Sequence, residues 1–180
     1  VFRTIKKINR VAVVGGERTG QAIPFRLADL MKLDSLWFNS SLLREKRNLA
    51  FLHVAYNTLL RVSELSRLRV RDVTFADDGR IILDVAWTKT IVQTGGLIKA
   101  LSNLSTQRLM EWIAAAGLAA EPDAFLFCPV HRSNKAVMIA ERPLSTPSFE
   151  TIFAHAWRTS GHSKSAKLNK NRYGGWSGHS

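Results

Sequence analysis

The sequence predicts a mainly α-helical domain with a small antiparallel sheet. In four segments, apolar residues recur at three- and four-residue spacing, which is the pattern of helices with one buried side. These segments are residues 26–38, 42–60, 105–116 and 144–157. Two β-forming stretches, at residues 70–75 and 80–87, flank the turn signal Asp-Asp-Gly at 77–79, which favours a hairpin. At 180 residues the chain is long enough to bury a proper hydrophobic core.

The first two helices are each expected to bury one side. In the first the buried residues should be Leu27, Leu30, Leu33 and Trp37, and in the second Leu49, Leu52, Tyr56, Leu59 and Leu60. His53 falls inside the second helix, so we interpret it as a core or interface histidine. Residues 63–68 follow with helical character.

The third helix is expected to have Ser105 as its N-cap and Gly117 as its stop. The last should begin at Ser145 or Thr146, with Pro147 in its first turn. The buried residues should be Leu109, Trp112 and Ile113 in the third helix, and Phe149, Ile152, Phe153 and Trp157 in the last.

Residues 1–24 are predicted to lie outside this domain. Phe2, Ile5 and Ile8 stand three apart between basic residues, which is typical of the last turns of a helix. Residues 13–24 are rich in glycine and polar residues and end at Pro24, so we expect a linker there. Residues 25–180 then form the main domain.

The charge of the chain indicates a polyanionic partner. Lys and Arg number 26 against 14 Asp and Glu, which leaves a net charge of +12. Nucleic acid is the usual partner of such an excess. Two alternatives remain open: a basic protein without such a partner, and an anionic membrane surface bound by residues 1–10. The single cysteine, Cys128, suits a reducing compartment, and no apolar stretch reaches the roughly 18 residues of a membrane span.

Three residues are candidates for chemistry on a phosphate. Arg61 and Glu64 lie three apart between two helices, where a carboxylate can fix an arginine as a two-donor clamp. Lys89 lies between the strand at 80–87 and a further β-forming stretch at 91–94, so we expect it at a hairpin turn. The five histidines show no metal-ligand spacing, and we expect neither a metal nor a cofactor.

Several motifs occur in an order and spacing that a known family shares. They are residues 47–73 with Arg-x-x-Glu, residues 77–90 ending in Thr-Lys-Thr, residues 125–136 with His-Arg-Ser-Asn-Lys, and residues 171–180 ending in Trp-Ser-Gly-His-Ser. From about residue 18 onward the chain resembles the catalytic domain of the tyrosine site-specific recombinases of the phage integrase family, in particular the Cre- and Dre-like group.

The resemblance implies a mostly helical catalytic domain with a three-stranded sheet. It implies a metal-free reaction, in which a tyrosine attacks the scissile phosphate to form a 3′-phosphotyrosine link and free a 5′-hydroxyl. The expected partner is duplex DNA with an inverted-repeat target site, bound by a homotetramer of the intact protein. A cytoplasmic protein of a bacterium, phage or plasmid is implied, with no membrane partner.

Residue roles are carried over by position. Arg61 resembles the first catalytic arginine, and Glu64 the acidic residue that supports it. Lys89 resembles the lysine that protonates the leaving 5′-oxygen, and His179 the histidine of the His-x-x-Arg element. The resemblance further implies DNA-backbone contacts by Arg172, His131, Arg132 and Lys135. Pro147 stands where Cre-like members have a guanine-reading arginine, so we expect a different target sequence.

The family pattern also includes residues that this sequence does not contain. The arginine three positions after His179, a later histidine or tryptophan and the nucleophilic tyrosine would follow Ser180. Tyr56 and Tyr173 do not match the nucleophile's motif. We therefore expect a C-terminally incomplete catalytic domain that does not cleave DNA by itself. A non-catalytic DNA-binding remnant and a basic protein-interaction module are the alternatives.

Overall fold

The computed structural model describes residues 23–86, 96–138, 141–162 and 175–177. Its helices are α1 (Leu27–Trp37), α2 (Leu43–Thr58), α3 (Val62–Leu65), α4 (Asn103–Ala116) and α5 (Thr146–Thr159). Its strands are β1 (Val73–Phe75), β2 (Ile81–Val85) and β3 (Leu97–Ala100), and short 3₁₀ turns lie at Val70–Asp72 and Leu118–Ala120. The predicted helical fold with a three-stranded antiparallel sheet is confirmed.

Helix α2 forms the centre of the core. Its Phe51 ring lies 4.8 to 5.7 Å, between ring centroids, from three other phenylalanine rings: Phe127, Phe149 and Phe153. These partners come from the apolar segment before the basic loop and from α5, so one side chain joins distant parts of the sequence. Trp112 of α4 is fully buried, and its Nε1 donates to the carbonyl of Leu126 at 2.8 Å.

Two of the residues predicted for the core lie outside it. Leu27, the first residue of α1, is 53% exposed. Leu59 is 85% exposed because α2 ends there, and its left-handed backbone (φ 55°) carries the side chain away from the buried side. The other residues predicted for α1 are buried, whereas Tyr56, Leu60 and Trp157 are half-buried.

The sheet has the order β1-β2-β3, with both neighbouring pairs antiparallel. Val73 pairs with Leu83, and Ile82 pairs with Ala100. Alternate residues of β2 are buried, as expected for a strand with one face on the core. The strand predicted over 70–75 is only partly correct, because Val70–Asp72 forms a 3₁₀ turn in which Asp72 accepts from the Arg69 N–H at 2.7 Å.

The third strand of the predicted sheet lies where no strand was expected. It occupies Leu97–Ala100 and pairs with β2. The further β-forming stretch predicted at 91–94 lies outside the described residues, as do residues 1–22, which include the predicted helix and most of the predicted linker at 13–24. Of the helices that the structure describes, none combines the length and the apolar character needed to cross a membrane.

Helix α4 begins three residues earlier than predicted. Its N-cap is Ser102, whose Oγ accepts from the Ser105 N–H at 3.3 Å, whereas Ser105 is buried. The helix stops at Gly117, as expected, in the left-handed conformation (φ 70°). Ser145 is the N-cap of α5, one of the two residues predicted.

A buried polar cluster joins α1, α2 and α4. Asp34 accepts from Arg108 Nε at 2.5 Å and from Nη2 at 2.9 Å, and His53 Nε2 lies 3.0 Å from its Oδ1. Burial raises the pKa of Asp34, but the hydrogen bonds and charges of Arg108 and His53 outweigh it, and the pKa lies below its usual value. Burial lowers the pKa of His53 more than Asp34 raises it, so His53 is a neutral donor in the core. The interpretation of His53 as a core histidine is confirmed.

Candidate active site

The end of α2 directs the chain into the candidate site. The Thr58 hydroxyl donates to the Val54 carbonyl at 2.7 Å, and the Leu59 N–H donates to the Ala55 carbonyl at 2.9 Å. Leucine rarely adopts a left-handed backbone, because its Cβ crowds the carbonyl oxygen. This residue reverses the chain, so that Arg61 becomes the N-cap of α3 only three residues after Thr58, the last residue of α2.

Arg61 and Glu64 form the capping box of α3. Glu64 Oε2 accepts from the Arg61 backbone N–H at 2.9 Å, and Oε1 accepts from Arg61 Nη1 at 3.3 Å. The Glu64 side chain is only 5% exposed, whereas that of Arg61 is 64% exposed. One guanidinium nitrogen is therefore held by a buried carboxylate, while most of the guanidinium remains open to a ligand.

Arg61 lines a cavity of about 520 Å³. Its wall comes from the end of α2, from α3, from the start of α5 and from two isolated positions in the chain, Phe25 and Ser177. Tyr56, Thr146 and Glu150 contribute polar groups to a lining that is otherwise largely apolar. An arginine at the edge of such a space offers hydrogen bonds to an oxyanion.

Residues 175–177 are packed against this cavity. The Gly175 carbonyl accepts from the Ile23 N–H at 3.1 Å. The Trp176 ring is 3% exposed and lies edge-on to Phe25 at 4.8 Å and to Trp157 at 5.1 Å between centroids. Ser177 is buried and lines the cavity two residues before His179. Sequence reasoning missed this anchor, although a tryptophan within a glycine- and serine-rich stretch was a signal for it.

The structure brings together part of the predicted catalytic set. Arg61 and Glu64 are in contact, as the spacing predicted. Lys89, His179 and the DNA-contact candidate Arg172 lie outside the described residues, as does Tyr173, and their positions stay predictions. Within the described residues, no three His, Cys, Asp or Glu side chains lie together in a way that could hold a metal ion.

The basic loop is an exposed turn. His131, Arg132 and Lys135 are all exposed, and an isolated bridge between Val130 and Ala136 closes the loop. The His131 N–H donates to the Lys135 carbonyl at 2.8 Å. The Ser133 N–H donates to His131 Nδ1 at 3.2 Å, which leaves the ring proton on Nε2.

Asn134 joins this loop to α2. It has a left-handed backbone (φ 61°), which asparagine tolerates better than most residues. Its Oδ1 accepts from the Leu43 N–H at 2.7 Å, and its Nδ2 donates to the Ser41 carbonyl at 3.0 Å. Sequence reasoning gave Asn134 no role; an asparagine within a basic turn was the available signal.

Comparison with known proteins assigns the chain to a family. The description of the matching family is "Phage integrase family", and the match covers residues 26–174. The chain belongs to the phage integrase family. It is 42% identical over all 180 residues to the recombinase Cre of Escherichia phage P1, and the aligned part is 51% of that protein. The predicted family membership is confirmed.

Solved structures of recombinases share the fold. XerA recombinase matches with a TM-score of 0.53 at 18% identity, over 82% of this chain and 45% of that one. XerH site-specific recombinase, in a pre-cleavage complex with its difH substrate, matches with a TM-score of 0.53 at 13% identity, over 84% of this chain and 40% of that one. The chain thus spans about half the length of the relatives it matches.

Proposed function

We propose that this chain is the DNA-binding and phosphate-activating part of a tyrosine recombinase. The single observation that carries the proposal is Arg61, which is held by the buried Glu64 carboxylate and exposed to a cavity. The family match and the identity to Cre recombinase support the reaction class, site-specific DNA breaking and rejoining through a 3′-phosphotyrosine intermediate.

In this proposal, the chain's own residues neutralise charge on the scissile phosphate. Arg61 donates to a nonbridging oxygen, and Glu64 fixes its guanidinium before the phosphate arrives. Lys89 protonates the 5′-oxygen as it leaves, and His179 donates to the phosphate and assists proton transfer. The placement of Ser177 in the same cavity supports His179, because only Gly178 separates the two residues in the chain.

Taken by itself, the chain is proposed to bind DNA without cleaving it. Tyr56 lies near the C-terminal end of α2 and is half-buried. The centroid of its ring lies 6.2 Å from that of the Phe25 ring. Tyr56 does line the cavity, however, so an experiment must test it as a nucleophile. The proposed partner is duplex DNA with an inverted-repeat site, and the larger protein is proposed to act as a homotetramer on it. The XerH structure, solved on its difH substrate, supports a DNA partner.

A second candidate is a DNA-binding protein with no catalytic role in any larger protein. The exposed cations Arg132 and Lys135 and the exposed His131, together with the net charge of +12, favour DNA contact whether or not catalysis follows. Arg61 distinguishes the two candidates, because only the catalytic one needs a guanidinium fixed by Glu64.

The test combines binding with a search for a covalent adduct. The chain is incubated with a labelled, nicked duplex and analysed on native and denaturing gels. We expect a complex on the native gel and no adduct on the denaturing gel. An adduct would refute the claim that the nucleophile is absent, and its loss in Tyr56→Phe would identify Tyr56 as that nucleophile. Absence of the native complex would refute DNA binding.

A further inference from the structure

Two arginines are equally buried but have different partners. Arg47 of α2 and Arg108 of α4 are each 7% exposed. Arg108 donates to Asp34 and to Glu111, so two carboxylates balance its charge. Arg47 forms no ion pair with any carboxylate of the described residues. A buried cation without an anion is costly, because it loses its hydration and gains no opposite charge.

The hydrogen-bond partners of Arg47 within the described part of the chain are all neutral. Its Nε and Nη2 donate to Asn48 Oδ1 at 3.2 and 2.8 Å, and its Nη1 donates to the Cys128 carbonyl at 3.4 Å. Since Asn48 Oδ1 is an acceptor, its Nδ2 must be the donor to His155 Nδ1, at 3.2 Å. A guanidinium has five N–H groups. One on each Nη therefore has no acceptor among the described residues.

The surroundings of Arg47 are positively charged. Arg44 lies one turn earlier on α2, and Arg158 lies one turn after His155 on α5; both are exposed. Burial lowers the pKa of Arg47 to about 10; the Cys128 side chain raises that pKa, and Arg44 lowers it further. Burial also lowers the pKa of His155; Arg44, Arg158 and Arg47 act in the same sense, and the carboxylate of Glu45 acts in the opposite sense.

We propose that Arg47, Arg44 and Arg158 form an oxyanion site that binds a backbone phosphate of duplex DNA. The proposal rests on the DNA binding proposed above. A phosphate oxygen would satisfy the unused N–H groups of Arg47 and supply the missing negative charge. The site continues the basic loop, because Asn134 of that loop is bonded to the first residue of α2, the helix that carries Arg44 and Arg47.

The first experiment compares stability with DNA affinity in two matched variants. Arg47→Met removes an unbalanced charge, so we expect a melting temperature within about 2 °C of that of the unaltered chain. Its affinity for a labelled duplex at fixed salt should fall about tenfold, because charge-assisted hydrogen bonds are lost. Arg108→Met should lower the melting temperature much more, because Asp34 loses its partner. An unchanged DNA affinity in Arg47→Met would overturn the proposal.

A second pair of variants avoids the core. Arg44→Ala with Arg158→Ala removes two exposed cations and should weaken DNA binding about tenfold. Arg71→Ala with Arg80→Ala removes as many cations elsewhere, but both already pair with aspartates. This control should lose less than about threefold. Equal losses in the two double variants would overturn the proposal.

Inorganic phosphate tests the site without DNA. At matched ionic strength, phosphate should raise the melting temperature of the unaltered chain more than that of Arg47→Met, while its general stabilising effect is common to both. Equal rises would overturn the site. If the unaltered chain shows no salt-sensitive binding to a duplex, the proposed function fails, whereas the phosphate comparison still decides whether Arg47 binds an oxyanion.

Discussion

The buried Glu64 carboxylate accepts hydrogen bonds from both the backbone N–H and the guanidinium of the exposed Arg61. The same carboxylate therefore starts α3 and holds the arginine that faces the cavity. Glu64 therefore has two roles. Substitutions that keep or remove its acceptor oxygens should affect stability and phosphate binding to different extents.

Substitutions of Glu64 separate these roles. In Glu64→Gln the amide oxygen can still accept from the Arg61 N–H, so the free energy of unfolding should fall by less than about 1 kcal/mol. In Glu64→Ala that donor loses its partner, and the loss should reach about 1–2 kcal/mol. Both variants should bind duplex DNA more weakly than the unaltered chain. Urea unfolding measures the energies, and a larger loss in Glu64→Gln than in Glu64→Ala would contradict the assignment.

The left-handed Leu59 should be a site of stabilisation. Because Leu59 is 85% exposed, Leu59→Gly loses little packing and relieves a backbone that is unfavourable for leucine. We expect a gain of up to about 1 kcal/mol in the free energy of unfolding. Leu60→Gly is the matched control, since Leu60 is half-buried and packs on the core, and it should be destabilising. A similar loss in both variants would contradict the prediction.

Acid should weaken the fold through the buried cluster of Asp34, His53 and Arg108. The pKa of His53 is lower in the folded chain than its ordinary value near 6.5, so the unfolded chain binds a proton first as the pH falls. Stability should therefore decrease below about pH 6.5. The pKa of Asp34 is also lowered, so a second decrease should follow below about pH 4.

Thermal melts between pH 8 and pH 3 measure these decreases. His155, whose pKa burial also lowers, contributes in the same direction as His53. His53→Gln removes one titrating group and should flatten the upper part of the curve, while the decrease below pH 4 remains. A curve as steep in His53→Gln as in the unaltered chain would show that His53 is not buried as a neutral side chain.

Asn134 should act on DNA affinity through the loop that carries Arg132 and Lys135. Asn134→Gly preserves the left-handed backbone but removes the bonds to Leu43 and Ser41, so the loop should lose its attachment to α2. We expect Asn134→Gly to bind duplex DNA about threefold more weakly than the unaltered chain. In a chain that already carries Arg132→Ala and Lys135→Ala, Asn134→Gly should weaken binding no further. Additive effects of the substitutions would contradict this role.

The local sequence pattern was sufficient to predict the helices and the contact of one residue pair. Periodic apolar residues predicted α1, α2, α4 and α5, and the three-residue spacing of Arg61 and Glu64 predicted their contact. Ser102 and Ser105 are both suitable caps for α4, and the choice depends on His53, whose Nδ1 lies 3.4 Å from the buried Ser105 Oγ. That contact crosses 52 residues and has no local signal.

Long-range partners explain the other differences. Leu59 fits the apolar period of α2, but the helix ends there because the chain must turn towards α3. Asn134 contacts residues 91 and 93 positions earlier in the chain, which no periodicity reveals. Arg47 is recognisable as unusual only when the structure shows that it is buried without a carboxylate partner among the residues described.

The central claim is that this chain contacts duplex DNA through its cations. The salt dependence of DNA binding is the most direct test of that claim. Fluorescence anisotropy with a labelled duplex gives the association constant at several salt concentrations. We expect the logarithm of this constant to fall with the logarithm of salt concentration with a slope of roughly −4 or steeper, and Arg61→Ala to reduce that slope by about one. A slope near zero, or no binding at about 50 mM salt, would contradict the claim.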